Sequence, residues 1–133
     1  MPTSKKHYRV TLDQVLRAHN RALLFGGRSG IRDLGLIESA IARPYCGYYR
    51  PIAGKAAALV HSLALNHGFI DGNKRTALYT VVLMLNKSGY TLRHKSRRQR
   101  DHDMEAVILS VVERKMSFDE LVRWFHQRIV RIK

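Results

Sequence analysis

Between Ala77 and Leu85 the chain reads Ala-Leu-Tyr-Thr-Val-Val-Leu-Met-Leu, apolar on every side of a helix rather than along one stripe. A helix of that kind cannot lie on a surface; other elements must enclose it. The pattern predicts a helix from about Gly72 to Lys87, stopped at Gly89, running through the centre of a small bundle.

The rest of the chain supplies the enclosing helices. One spans Leu12 to Leu24, with Thr11 or Asp13 as its start signal and Gly26-Gly27 as its stop. Leu12, Val15, Leu16, His19 and Leu23 fall on one face of it. Asp33 is an N-cap for a second helix over Leu34 to Ala42, which Pro44 ends. A third, rich in Ala and Leu, covers about Ala53 to Asn66. Beyond a basic loop, Arg93 to Arg100, a fifth is capped by Asp101 or Asp103. The sixth opens at Ser117, where Ser117-Phe-Asp-Glu120 has the form of a capping box, and Trp124 and Phe125 read as its core residues. Tyr45 to Pro51 is aromatic and punctuated by Gly and Pro: a β-hairpin or an exposed flap, too short to found a sheet. The expected class is all-α, a bundle of about six helices with a short flap.

A chain of 133 residues fits one domain. The one cysteine, Cys46, excludes an intrachain disulfide framework and reads as an inert thiol. Lys55 and His61 interrupt the longest Ala/Leu run, so no membrane span is expected. Met1 to His7 carries charge with no apolar segment behind it, so no signal peptide is expected and the compartment is cytoplasmic; disorder is expected only at the ends. The balance of 24 Lys+Arg against 10 Asp+Glu, +14 net, attracts acidic proteins and nucleotides as readily as nucleic acid. The run Arg93-His-Lys-Ser-Arg-Arg-Gln-Arg100 has no interleaved aromatic on which bases could stack. A solvated loop, or a dock for an acidic partner, fits it better than a nucleic-acid surface. His7, His19, His61, His94, His102 and His126 show no ligand spacing, and no structural metal is expected.

Chemistry concentrates in His67-Gly-Phe-Ile-Asp-Gly-Asn-Lys-Arg-Thr76. The segment is a loop between two helices, and the second of them is anchored in the core. The free N–H groups and positive dipole end of that helix form an anion site. Gly72 lets backbone approach a ligand closely, while Lys74 and Arg75 add charge, the arginine with two donors for phosphate oxygens. Asp71 is a hard oxygen ligand suited to Mg²⁺ on nucleotide phosphates. An imidazole at His67 suits proton removal from a hydroxyl near neutral pH. Phe69 is expected to point inward and pin the loop. Taken singly, each residue reads better as an ordinary turn, cap or solvated end; ten residues that hold all of them at the start of a buried helix do not.

This stretch resembles the Fic motif, His-Pro-Phe-x-(Asp/Glu)-Gly-Asn-Gly-Arg-x-x-Arg, and more closely the Doc (death on curing) branch, where Asn-Lys-Arg replaces Asn-Gly-Arg. Gly30-Ile-Arg-Asp-Leu-Gly-Leu-Ile-Glu-Ser-Ala-Ile-Ala-Arg-Pro44 and Lys87-Ser-Gly-Tyr90 are similar to that branch as well. The resemblance implies a helical fold with the motif between two central helices. It implies His67 as base, Asp71 as Mg²⁺ ligand, and Gly72, Asn73, Lys74 and Arg75 as the ATP-phosphate cradle. Tyr45, Tyr48 and Tyr49 would belong to the flap and substrate groove. Typical Fic enzymes transfer AMP; the Doc branch holds ATP reversed and passes its γ-phosphate to a threonine of elongation factor Tu, blocking translation.

Two departures bear on that choice. Gly68 stands where Fic proteins have Pro, and Leu78 replaces the second motif Arg. With Lys74 in the nest, this favours phosphoryl transfer; AMP transfer to a protein hydroxyl, or a basic nucleic-acid module, is the alternative. Many Fic proteins carry an inhibitory Ser/Thr-x-x-x-Glu-Gly/Asn helix. Here Leu34, Asp101, Leu109 and Met116 stand four residues before Glu38, Glu105, Glu113 and Glu120, so the signature is absent. Inhibition is therefore expected in trans, from a small antitoxin whose disordered acidic segment folds on the toxin.

Overall fold

In a computed structural model, which describes residues 7–132, the helix that carries the apolar run from Ala77 to Leu85 is indeed enclosed. The expectations for a signal peptide and for disorder over residues 1–6 lie outside the described residues. Helix α4 (Asn73–Lys87) turns Ala77, Leu78, Val81, Met84 and Leu85 into the interior, each at most 1% exposed. Helix α3 (Ile52–Leu65) packs along it, and an almost unbroken buried run, Ala56, Ala57, Ala58, Leu59 and Val60, lets the two backbones come close. Helix α1 (Leu12–Ala22) covers another side of α4. Helix α6 (Phe118–Arg128) packs on α3, α5 (Arg97–Val112) on both α3 and α4, and α2 (Leu34–Ala42) on α3. One continuous apolar core joins them, and among the described residues the class is all-α, with six α-helices.

Local signals act where the sequence has them. Thr11, not Asp13, caps α1: its hydroxyl accepts from the Gln14 N–H at 3.1 Å, and Gln14 Oε1 accepts from the Thr11 N–H at 3.0 Å. Leu23–Phe25 leaves the α-helical path as a 3-10 turn, so α1 is shorter than the apolar face suggests. Asp33 caps α2, the Ser117–Glu120 box opens α6, Phe125 is fully buried, and Trp124 packs half-buried against the core. Of the two options for residues 45–51 the flap stands: a 3-10 turn, Arg43–Tyr45, then bends, with no strand.

One expectation is corrected, and one small feature is added. Helix α5 starts at Arg97 rather than after Arg100, because Ser96 takes an extended backbone and its hydroxyl accepts from the Gln99 N–H at 3.1 Å. Arg97 to Arg100 are thus the first turn of a helix, and Asp101 and Asp103 lie inside it. Strands β1 (Tyr90–Leu92) and β2 (Ile129–Arg131) form a small antiparallel pair, Tyr90 opposite Arg131 and Leu92 opposite Ile129. Three-residue strands so far apart in sequence carry no periodic signal. Among the described residues no helix is long and apolar enough to cross a membrane.

Candidate active site

Helix α3 ends on Asn66, and the chain turns on His67, whose backbone is left-handed with φ 52°. The residue after a helix C-cap commonly takes this conformation, and glycine usually occupies it. With a side chain it costs about 1–2 kcal/mol, so an imidazole here is retained against local preference. The His67 side chain is exposed. Alongside, the segment before α2 pairs with the loop: the Arg32 and Asp33 N–H groups both donate to the Gly68 carbonyl, at 2.8 and 2.9 Å, and the Ile70 N–H to that of Gly30 at 3.0 Å. Gly68 is forced by α2, since a Cβ there would sit 2.5 Å from Cγ1 of the buried Ile37.

The loop is then fastened twice. Phe69 is buried, as expected, and its ring stacks on His19 of α1 at 3.8 Å and 9°. The His19 Nε2–H donates to the Asp71 carbonyl at 2.9 Å. Asn73 closes a ring with Phe69: its Oδ1 accepts from the Phe69 N–H at 3.1 Å and its Nδ2 donates to the Phe69 carbonyl at 3.0 Å. The Asn73 side chain therefore holds the loop, and what it has left for an anion is its backbone N–H.

Gly72, with φ 78°, redirects the chain into α4 without a side-chain cap. The first intrahelical bond runs from the Thr76 N–H to the Gly72 carbonyl at 3.0 Å. Among the described residues the N–H groups of Asn73, Lys74 and Arg75 reach no acceptor. They open, with His67 and Asp71, onto a cavity of about 390 Å³. Lys74 is exposed, while Arg75 has its guanidinium 3.9 Å from the Phe25 ring centre and donates from Nη1 to Glu105 Oε1 at 3.1 Å.

Asp71 is exposed, and its carboxylate accepts the Arg28 N–H at 3.2 Å on Oδ2 and the Gly72 N–H at 2.9 Å on Oδ1. Those two donors, Arg28 first, hold its carboxyl below the usual range, so it is a ready anion. Gly27 makes the Arg28 contact possible: a Cβ there would come within 3.0 Å of Oδ2. Each Asp71 oxygen spends one lone pair on backbone and keeps another. Among the described residues no three His, Cys, Asp or Glu cluster as metal ligands. One carboxylate suits Mg²⁺, which takes one or two from protein and the rest from phosphates and water, and would not hold a cation that needs an all-protein cage.

The motif residues thus come together, whereas the tyrosines stand apart and line no part of this cavity. Tyr45 is turned to the N-terminal segment, its hydroxyl donating to the Tyr8 carbonyl and pushed up to about 12 by burial. The Tyr49 hydroxyl accepts from Arg43 Nε at 3.1 Å, and Tyr48 is 82% exposed. Sequence reasoning missed Phe25, Arg32 and Glu105, and gave His19 only a place on a helix face. Arg32 lay inside a segment already singled out by resemblance; nothing in the chain ties Phe25 or Glu105 to a motif 30 or more residues away.

Residues 9–85 match the model of the Fic/DOC family. The Toxin Doc of Mycolicibacterium smegmatis is 43% identical over 76 residues, 53% of this chain and 58% of that protein. The protein adenylyltransferase fic-1 of Caenorhabditis briggsae is 27% identical over 113 residues, 65% of this chain and 21% of that protein. The chain thus spans less than two thirds of the length of either relative.

Proposed function

The chain belongs to the Fic/DOC family, and from that premise we propose that it is the toxin of a toxin–antitoxin pair, passing the γ-phosphate of Mg-ATP to a protein hydroxyl. The observation that carries this is one cavity lined by both His67 and the open first turn of α4. His67 takes the proton of the target hydroxyl as its oxygen bonds to the γ-phosphorus, and the bond from that phosphorus to the ADP oxygen breaks. The N–H groups of Asn73, Lys74 and Arg75 receive the phosphates, which needs no rearrangement of a fixed helix end. Mg²⁺ would be held by Asp71 and would neutralise phosphate charge. The target by resemblance is the elongation factor Tu threonine.

Lys74 and Leu78 support phosphate over AMP. Leu78 is 1% exposed on the core side of α4, so position 78 has no room for a second guanidinium. Lys74 offers the transferred group a mobile point charge. The likeness to an adenylyltransferase favours AMP transfer instead. Incubation with a bacterial lysate and ATP labelled at either the α or the γ position separates the two. Label from the γ position, with a single phosphate of added mass on the target, is expected; α label on the target would overturn it.

Asp71→Asn keeps side-chain size and removes the anionic oxygen, so it is expected to raise the Mg²⁺ concentration needed for half-maximal transfer. An unchanged Mg²⁺ titration would remove Asp71 from that role. The partner is a small antitoxin whose acidic segment is drawn by the +14 charge. The sign of such a pair is growth arrest when this chain is expressed alone.

A further inference from the structure

The proposed chemistry leaves Arg32 unused, although it is joined to the base. It sits on the loop before α2, exposed, yet two of its nitrogens are committed to the chain that leads into the site. Nε donates to the His67 carbonyl at 2.7 Å and Nη2 to the Asn66 carbonyl at 3.2 Å. These are acceptors at the end of α3, where a helix leaves its last carbonyls unpaired. A guanidinium suits them, being a rigid fork that keeps its charge.

Arg32 is itself anchored. Its N–H and that of Asp33 converge on the Gly68 carbonyl, and Asp33 Oδ1 accepts from the Leu36 N–H at 3.2 Å to cap α2. Main chain and side chain of one residue thus grasp the carbonyls of Asn66, His67 and Gly68 in succession. The backbone so held is the left-handed turn at His67, a conformation that persists in a side-chain residue only when its surroundings enforce it.

We infer that Arg32 is the positioning residue for His67: by binding the carbonyls on either side of the turn it sets the direction in which the imidazole leaves the chain. The catalytic part of this rests on the function proposed above; the structural part does not. Arg32 is not among the residues lining the cavity, so its loss should change how His67 is aimed and leave ATP binding alone.

The test compares wild type with Arg32→Ala and Arg32→Lys. One measurement is the HN–Hα coupling of residue 67 by NMR, which reports its φ. The other is the rate of γ-label transfer into a bacterial lysate as ATP is varied. Arg32→Ala should shift the coupling and lower the maximal rate by about tenfold or more, since small misplacements of a reacting group are costly. Half-saturating ATP should stay within about twofold, because only a step after binding is affected. Arg32→Lys can reach one carbonyl and should fall between; it carries the test should the alanine variant not fold. An unchanged coupling, an unchanged rate, or a loss that appears chiefly in half-saturating ATP would overturn the assignment. A wild type that transfers no label would refute the functional proposal instead, and the coupling would still decide whether Arg32 sets the turn.

Discussion

His67→Ala is expected to reduce γ-phosphate transfer by about 10²–10⁴-fold, the range that a positioned general base contributes. The imidazole is exposed and its backbone is held by neighbours rather than by its own ring. Alanine meets the same left-handed backbone as histidine, so stability should change by no more than about 1 kcal/mol. In cells, expression of the wild type alone is expected to arrest growth, and expression of His67→Ala to permit it. Near-normal single-turnover transfer by the variant would end the catalytic assignment. Healthy growth with soluble, active wild type would end the toxin assignment.

Restoring the proline that typical Fic motifs carry is expected to damage this protein. In Gly68→Pro, the new Cβ would lie 2.5 Å from Cγ1 of Ile37, which is 1% exposed and cannot step aside. Proline also pushes its predecessor towards extended backbone, whereas His67 has φ 52°. Overpacking alone costs about 1–3 kcal/mol, a fall in Tm of roughly 4–11 °C for a chain of this size. The displaced His67 should lower transfer further than the lost stability explains. Gly68→Ala, which keeps the clash without the ring, should lose stability and retain more activity. A Gly68→Pro protein with wild-type Tm and activity would show that α2 and the loop yield more readily than their packing indicates.

The motif was legible because its residues are contiguous. Asp71, Gly72, Lys74 and Arg75 sit together where the chain puts them, at the start of a helix whose apolar body already announced that it was buried. Asn73 was legible as a site residue but not in its job. Only the folded loop brings its amide onto both polar groups of Phe69. The flap tyrosines illustrate the opposite case. An aromatic, glycine-punctuated stretch has many uses for its rings, and the nearby Arg43 and the distant Tyr8 carbonyl bound two of them. Helix α5 was misplaced because Asp101 and Asp103 are good caps by composition, yet Ser96 is earlier and satisfies the orphan N–H of Gln99 first.

The sequence by itself determined a helical bundle around α4 and the position of His67 just ahead of that helix's start, since both depend on residues near one another along the chain, and a strong positive charge, which depends on composition alone. Tertiary structure alone decided what surrounds them. It brought Arg32 to the carbonyls of Asn66 and His67, the Arg28 N–H to Asp71, and Glu105 and Phe25 to Arg75. It also brought Ile37 against Gly68 and His19 against Phe69. These contacts join residues 30 to 50 positions apart, and no local periodicity or propensity encodes a distance that arises only when helices pack.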